Sequence, residues 1–317
     1  MCLNKLIKLL KEMQPKESGA KEATEKQPKP KIVAYMDLLG MSNFIRQSAP
    51  NALDVLSGYK TILEQKFCDQ QVSPLDNYEG VQREIAETAY VSSFDFFLPF
   101  SDSVFIASNE VDKFVPQLAH FVLSCYEYNA RLLSPKKVDS EKPILFRGGV
   151  VVGEVLPCEL MGLKLGQRIP VPILFGPAIV DAVNLEGTVK GPRIVLNSDS
   201  YAVLAAQKEE LYISQIDDNM YEVLWPAYAY ESRYSGSRFA ELFVPAAELW
   251  RKLNHEECSP HYWELMKLII RSTVEFSQKQ ACEEQARLDM AMYISDVGLS
   301  DKRVELGLWR GMVKKTV

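Results

Sequence analysis

Two apolar strands separated only by Ser101 and Asp102 constrain this chain more than any other feature. Phe94 to Phe100 and Ser103 to Ala107 are aromatic and β-branched, and so short a connection makes a hairpin with Asp102 at its tip. Upstream, Ile32-Val-Ala-Tyr-Met36 is an apolar run suited to a buried strand. Asp37-Leu-Leu-Gly40 follows it. A helical pattern then runs from about Ser42 to Phe67, kinked or divided at Pro50.

Downstream, Val111 to Leu133 reads as a helix. Phe114, Leu118, Phe121, Val122 and Cys125 share one face, and Pro116 is expected in the first turn. Pro143 to Val155 reads as a strand. Ile173-Leu-Phe175 reads as a short strand that enters, through Gly176-Pro177, a helix near Ala178 to Leu185. Arg193 to Leu196 is a further strand. Leu211 to Trp225 is a hairpin turning at Asp217-Asp-Asn, and the chain from about Pro245 is mostly helical. The order β-α-β-β-α-β is the split-βαβ, ferredoxin-like plan. It implies an α+β fold with a mainly antiparallel sheet and helices on one face.

Three segments follow. Residues 1–31 hold a short amphipathic helix, Met1 to Met13, and a linker from Gln14 to Lys31 whose Lys, Glu, Gln, Ser and Pro content reads as disordered. The helix is read as docking on the body or on a partner subunit, with attachment to a membrane surface as the other reading. Residues 32–200 form the core, and residues 201–317 a hairpin and helical C-terminal extension.

Composition excludes several functions. A net charge of −6 over 317 residues lacks the basic surface that nucleic-acid binding needs. Six cysteines without a CxxC pair suit a reducing cytoplasm rather than a disulfide framework or a zinc site. Three histidines leave little for a histidine metal cage or a Ser-His-Asp triad. No apolar run has the length of a membrane span.

Asp37 and Asp102 carry the chemistry. In a split-βαβ sheet the first strand and the hairpin are central neighbours, so the two carboxylates meet. Paired carboxylates beside a glycine-containing turn suit two-metal phosphoryl chemistry, because hard cations need oxygen ligands and turn amides receive phosphate oxygens. Tyr35 shares a sheet face with Asp37 and reads as a base contact or a core tyrosine. Arg147 reads as a contact to phosphates or to a carboxylate across a dimer, or as a structural ion pair. Lys190 and Arg193 read as a phosphate site or, better, a solvated pair. Met161 to Arg168 reads as a mobile loop or a surface hairpin.

These segments resemble class III nucleotide cyclases. Val33-Ala-Tyr-Met-Asp-Leu-Leu-Gly-Met-Ser-Asn-Phe44 looks like the first metal motif of that family, and Phe100-Ser-Asp-Ser-Val104 like the second. Arg147-Gly-Gly-Val-Val-Val-Gly153 and Phe175-Gly-Pro-Ala-Ile-Val-Asp-Ala-Val-Asn184 are similar to its later strand and helix. Leu98 and Ile173 stand where purine cyclases place a base-reading Lys and Asp. Val180 and Asn184 stand where the family has an Asn and an Arg that stabilise the transition state.

The Asp-Leu-Leu-Gly opening, Phe-Ser-Asp-Ser, Arg-Gly-Gly and Phe-Gly-Pro-Ala are most similar to the pyrimidine cyclases of bacterial Pycsar antiphage systems. That resemblance implies a homodimer, head-to-tail with two sites, converting UTP or CTP to the 3′,5′-cyclic monophosphate and pyrophosphate. The product then activates a separate cyclic-nucleotide-binding effector. It implies two Mn2+ or Mg2+ ions per site, held by Asp37, Asp102 and the carbonyl of Leu38. Amides from Gly40, Met41, Ser42, Asn43 and Phe44 would take the phosphates, with Tyr35, Leu98 and Arg147 around the nucleotide. A purine cyclase, or a catalytically dead cyclase-like domain that senses nucleotides, are the other readings.

Overall fold

The computed structural model describes residues 29–50, 52–53, 56–57, 94–100, 102–132, 145–164, 167–207, 211–230, 233–252, 259–303 and 305–306. The expected N-terminal helix and nearly all of the expected linker lie outside them. Strand β1 (Lys29–Leu38) leads to the short helix α1 (Met41–Gln47), which ends just before Ser48, close to Pro50. Most of the helical pattern expected up to Phe67 lies outside the described residues. The hairpin β2 (Phe96–Phe100) and β3 (Ser103–Ser108) comes next, followed by helix α2 (Val111–Leu132). Pro116 stands inside α2 rather than in its first turn, which leaves the carbonyl of Asp112 without its intrahelical donor.

Strand β4 (Phe146–Lys164) runs well beyond Val155 and folds back as β5 (Gln167–Phe175). Their pairing continues to Lys164 opposite Gln167, so the described residues of the span Met161 to Arg168 belong to paired strands of a hairpin. Helix α3 (Pro177–Gly187), strand β6 (Ile194–Asn197), helix α4 (Ser198–Gln207) and the hairpin β7 (Ile213–Asp217) and β8 (Met220–Val223) complete the sheet region. A 3-10 turn, Trp225–Tyr230, precedes helices α5 (Gly236–Lys252), α6 (Ser259–Lys279) and α7 (Glu283–Asp296).

The sheet order is β2-β3-β1-β4-β6-β8-β7, with β5 paired to β4. Neighbours among its first four strands are antiparallel, and among the described residues only β4 and β6 pair in parallel. This is the split-βαβ plan in an α+β fold.

Helices cover both faces of the sheet, not one. Ile32, Ala34 and Met36 pack with Phe114, Leu118 and Phe121 of α2. On the other face Val33, Ala107, Val151 and Val155 pack with Ala178 and Ala182 of α3. The run Ile32 to Met36 is apolar at every position, as a strand buried on both sides must be. Helix α3 lies close because β4 offers glycines beneath it. A Cβ on Gly149 would stand 2.2 Å from the carbonyl oxygen of Ala182, and one on Gly153 3.1 Å from the Cβ of Ala178.

Candidate active site

Directly opposed residues of an antiparallel ladder share a face. The register therefore writes out the face beside α3 in rows. Phe100, Ser103, Asp37 and Arg147 form one row across β2, β3, β1 and β4. Leu98, Phe105, Tyr35 and Gly149 form the next, and Phe96, Ala107, Val33 and Val151 the third.

Asp102 occupies the β2–β3 turn beside the first row. Its carbonyl accepts from the amide of Leu38 at 2.9 Å, which ties the turn to the end of β1. The two aspartates are thus held at one end of adjacent strands. Each carboxylate accepts from a serine: Asp37 Oδ1 from Ser103 Oγ at 3.1 Å, and Asp102 Oδ2 from Ser42 Oγ at 3.0 Å. Ser42 comes from α1, which starts directly after the turn at Leu39 and Gly40. Gly40 has φ 78°, left-handed backbone that a side chain would strain. The amides of Met41 to Asn43 open the helix and have no intrahelical acceptor.

Arg147 reaches across from β4. Its Nη2 stands 4.0 Å from Asp37 Oδ2, while its Nε donates to Glu186 Oε1 on α3 and its Nη1 donates to the carbonyl of Val189 at 3.2 Å. A guanidinium held by Glu186 and the Val189 carbonyl only partly offsets the charge of Asp37. Burial raises the Asp37 carboxyl to about 6 from 3.8. The Ser103 hydrogen bond and Arg147 pull it down, and Glu186 and Asp102 push it up. A half-buried site with three carboxylates and one guanidinium carries excess negative charge, and a cation fits it.

Among the described residues no group of three or more His, Cys, Asp or Glu side chains is placed to hold a metal. Two carboxylates, with carbonyl, water or phosphate oxygens completing the shell, suit a hard ion such as Mg2+ or Mn2+.

Tyr35 is half-buried. Its ring centroid lies 4.8 Å from that of Phe105, and its hydroxyl lies 2.9 Å from Ser103 Oγ. Burial raises its pKa, against a lowering by the Ser103 hydrogen bond. Leu98 is in the same row as Tyr35. Ile173 pairs with Cys158 on the β4–β5 hairpin, outside the part of β4 that pairs with β1. Val180 and Asn184 are exposed on α3.

Arg193 is neither a solvated residue nor a free phosphate ligand. It pairs with the fully buried Glu222, which also meets Arg271 at 2.8 Å. Lys190 is exposed.

Three residues of this site escape a reading of the sequence: Ser103, Phe105 and Glu186. Alternation along β3 puts Ser103 and Phe105 on one face, but only the pairing with β1 shows that Asp37 and Tyr35 lie opposite them. Nothing in the sequence marks Glu186, whose role depends on how α3 is rotated over β4.

No family model and no curated protein matches the chain. Among solved structures it is similar to the adenylyl cyclase CyaB from P. aeruginosa, at 13% identity over 62% of this chain and 94% of that one, with a TM-score of 0.44. The guanylyl cyclase Cya2 is similar at 15% identity over 62% of this chain and 93% of its own, with a TM-score of 0.41. Adenylate cyclases from Trypanosoma brucei, in their monomeric state, give 11% identity over 66% of this chain and 94% of theirs, with a TM-score of 0.40. Likeness at this level assigns no activity to the chain.

Proposed function

We propose that this chain is a pyrimidine nucleotide cyclase that converts UTP, or CTP, to the 3′,5′-cyclic monophosphate and pyrophosphate. One observation carries the reading: Asp37 and Asp102, distant in sequence, stand at the same end of adjacent strands with a glycine turn beside them. Divalent cations bound there would activate the ribose 3′-hydroxyl toward the α-phosphorus and neutralise the leaving pyrophosphate.

The chain supplies the rest. Asp37, Asp102 and the Leu38 carbonyl would hold the ions, while Ser103 and Ser42 orient the two carboxylates. The amides from Gly40 to Phe44 receive phosphate oxygens. The row of Leu98, Phe105 and Tyr35 forms a wall for the base, aromatic and aliphatic apart from the Tyr35 hydroxyl. A wall without the Lys of purine cyclases leaves a purine edge short of partners, and such a loss discriminates strongly.

The active form proposed is a head-to-tail homodimer. Its product would activate a separate effector in antiphage defence, in keeping with the Pycsar resemblance. Among the described residues no helix is long and apolar enough to cross a membrane.

A catalytically dead nucleotide sensor is the second reading. It is favoured by Val180, which is 59% exposed and apolar where the family pattern has an Asn.

Incubation with each of the four ribonucleoside triphosphates and Mn2+, with products identified by mass spectrometry, tests all of this. The expected result is cyclic UMP or cyclic CMP with pyrophosphate. Preference over ATP and GTP should be roughly a hundredfold or more in kcat/KM. Equal use of ATP and UTP overturns the pyrimidine reading. Release of pyrophosphate from none of the four overturns the cyclase.

A further inference from the structure

Ser103 lies between the two groups that matter most on the site's face. It is buried, opposite Asp37 in the ladder, with its Oγ 3.1 Å from Asp37 Oδ1 and 2.9 Å from Tyr35 Oη. A serine hydroxyl has one proton to give, and an ionised carboxylate only accepts. The Ser103 proton therefore goes to Asp37. The bond to Tyr35 must then run the other way, with the phenol donating to Ser103 Oγ.

We infer that Ser103 is a positioning residue with two effects: it holds Asp37 in its metal-binding orientation, and it turns Tyr35 Oη toward the open site as an acceptor only. This rests on the proposed cyclase reading and sharpens it. A nucleobase that meets Tyr35 must then present an N–H donor, such as N3–H of uracil or the 4-amino group of cytosine. A lone-pair edge meeting Tyr35 would find no proton.

Four proteins test this: the full-length wild type, Ser103→Ala, Ser103→Thr and Tyr35→Phe, each checked for an unchanged thermal melt. The first readout is calorimetric titration with Mn2+ alone. Ser103→Ala should bind Mn2+ about tenfold more weakly, a change of 1.4 kcal/mol. Ser103→Thr, which keeps the hydroxyl, and Tyr35→Phe, which leaves Ser103 on Asp37, should each stay within about threefold of wild type.

The second readout is the split between KM and kcat. Tyr35→Phe should raise KM for the preferred triphosphate about tenfold with kcat little changed. N3-methyl-UTP, in which the donor is blocked, should discriminate poorly between wild type and Tyr35→Phe if uracil is the base read. If cytosine is read, the same comparison with N4,N4-dimethyl-CTP gives that result.

Wild-type Mn2+ affinity in a folded Ser103→Ala protein overturns the positioning role, as does failure of Ser103→Thr to restore it when the threonine protein melts normally. An unchanged KM in Tyr35→Phe, or full retention of the Tyr35→Phe effect with both blocked nucleotides, overturns the acceptor assignment. If the wild type turns over no triphosphate, the cyclase reading fails by itself, and the Mn2+ titration still decides whether Ser103 orients Asp37.

Discussion

Asp37 stands at the end of β1, between a serine on one neighbouring strand and an arginine on the other, and its carboxyl is a weaker acid than a free aspartate's. The cause is first burial, then the facing Glu186 and Asp102. A folded-state value of about 6 against 3.8 means that folding favours the protonated form. Metal-free protein thus has this contribution to stability in full below about pH 4 and loses it as the pH rises through about 6. A divalent ion needs the ionised form, so it competes with that proton. The rise in melting temperature caused by Mn2+ should therefore be small at about pH 5 and clearly larger at about pH 7.5. Differential scanning fluorimetry at both values checks the direction, and an equal rise at both would place the ion elsewhere. Replacing either aspartate has a plainer outcome. Asp37→Ala or Asp102→Ala should cut turnover by roughly a thousandfold or more, since each would remove a carboxylate ligand from the proposed metal site. The folded state should survive, as circular dichroism would show.

Helix α3 acts on the site through one residue. Its approach to β4 depends on Gly149 and Gly153, which leave room for Ala182 and Ala178, and the approach carries Glu186 to the guanidinium of Arg147. Glu186 and the Val189 carbonyl hold that guanidinium, and only Nη2 is left facing Asp37. In Glu186→Gln the arginine keeps a hydrogen-bond acceptor but loses its charged partner. It should then settle on Asp37 and compete with the cation. Mn2+ affinity is expected to fall about tenfold, with a stability loss of about 1–3 kcal/mol from the weakened buried pair. Titration calorimetry and a thermal melt read the two effects. A loss of stability with unchanged Mn2+ affinity would mean that the clamp serves the fold and not the site.

Across the whole molecule, the segment after residue 200 is part of the same core as the sheet. Trp225, Phe239, Phe243, Leu265, Met266 and Ile269 are fully buried in one cluster with Ile32, Met36 and Phe121. Trp225 Nε1 donates to the carbonyl of Pro192 at 3.1 Å, and the Tyr126 hydroxyl donates to the carbonyl of Leu242. Truncation after Gln207 would expose several large aromatic side chains, each worth roughly 3 kcal/mol or more of lost packing. The truncated chain should show no cooperative thermal transition. A sharp melt near that of the full chain would make the C-terminal helices dispensable.

Much of the architecture is legible in the residues. Local patterning locates the β2–β3 hairpin, the strand before Asp37, the Gly-Pro entry to α3 and the β-α-β-β-α-β order, because alternation, turn residues and apolar spacing are properties of neighbouring positions. The apolar run Ile32 to Met36 even carried the signal of a strand covered on both sides, although one covered face was expected. The pairing of the two aspartates also follows from sequence, but only by way of a known topology. What no local pattern contains is register and helix rotation. Which residue stands opposite Asp37 on β3 and on β4, which side of α3 meets the sheet, and whether Arg193 is solvated or joined to buried Glu222 depend on contacts between segments far apart in the chain. Ser103, Phe105 and Glu186 entered the site through those contacts alone. Local patterning is enough to specify the strands and the acids at their ends; what surrounds those acids comes from packing, because burial and the charges facing a carboxylate exist only once distant elements are brought together.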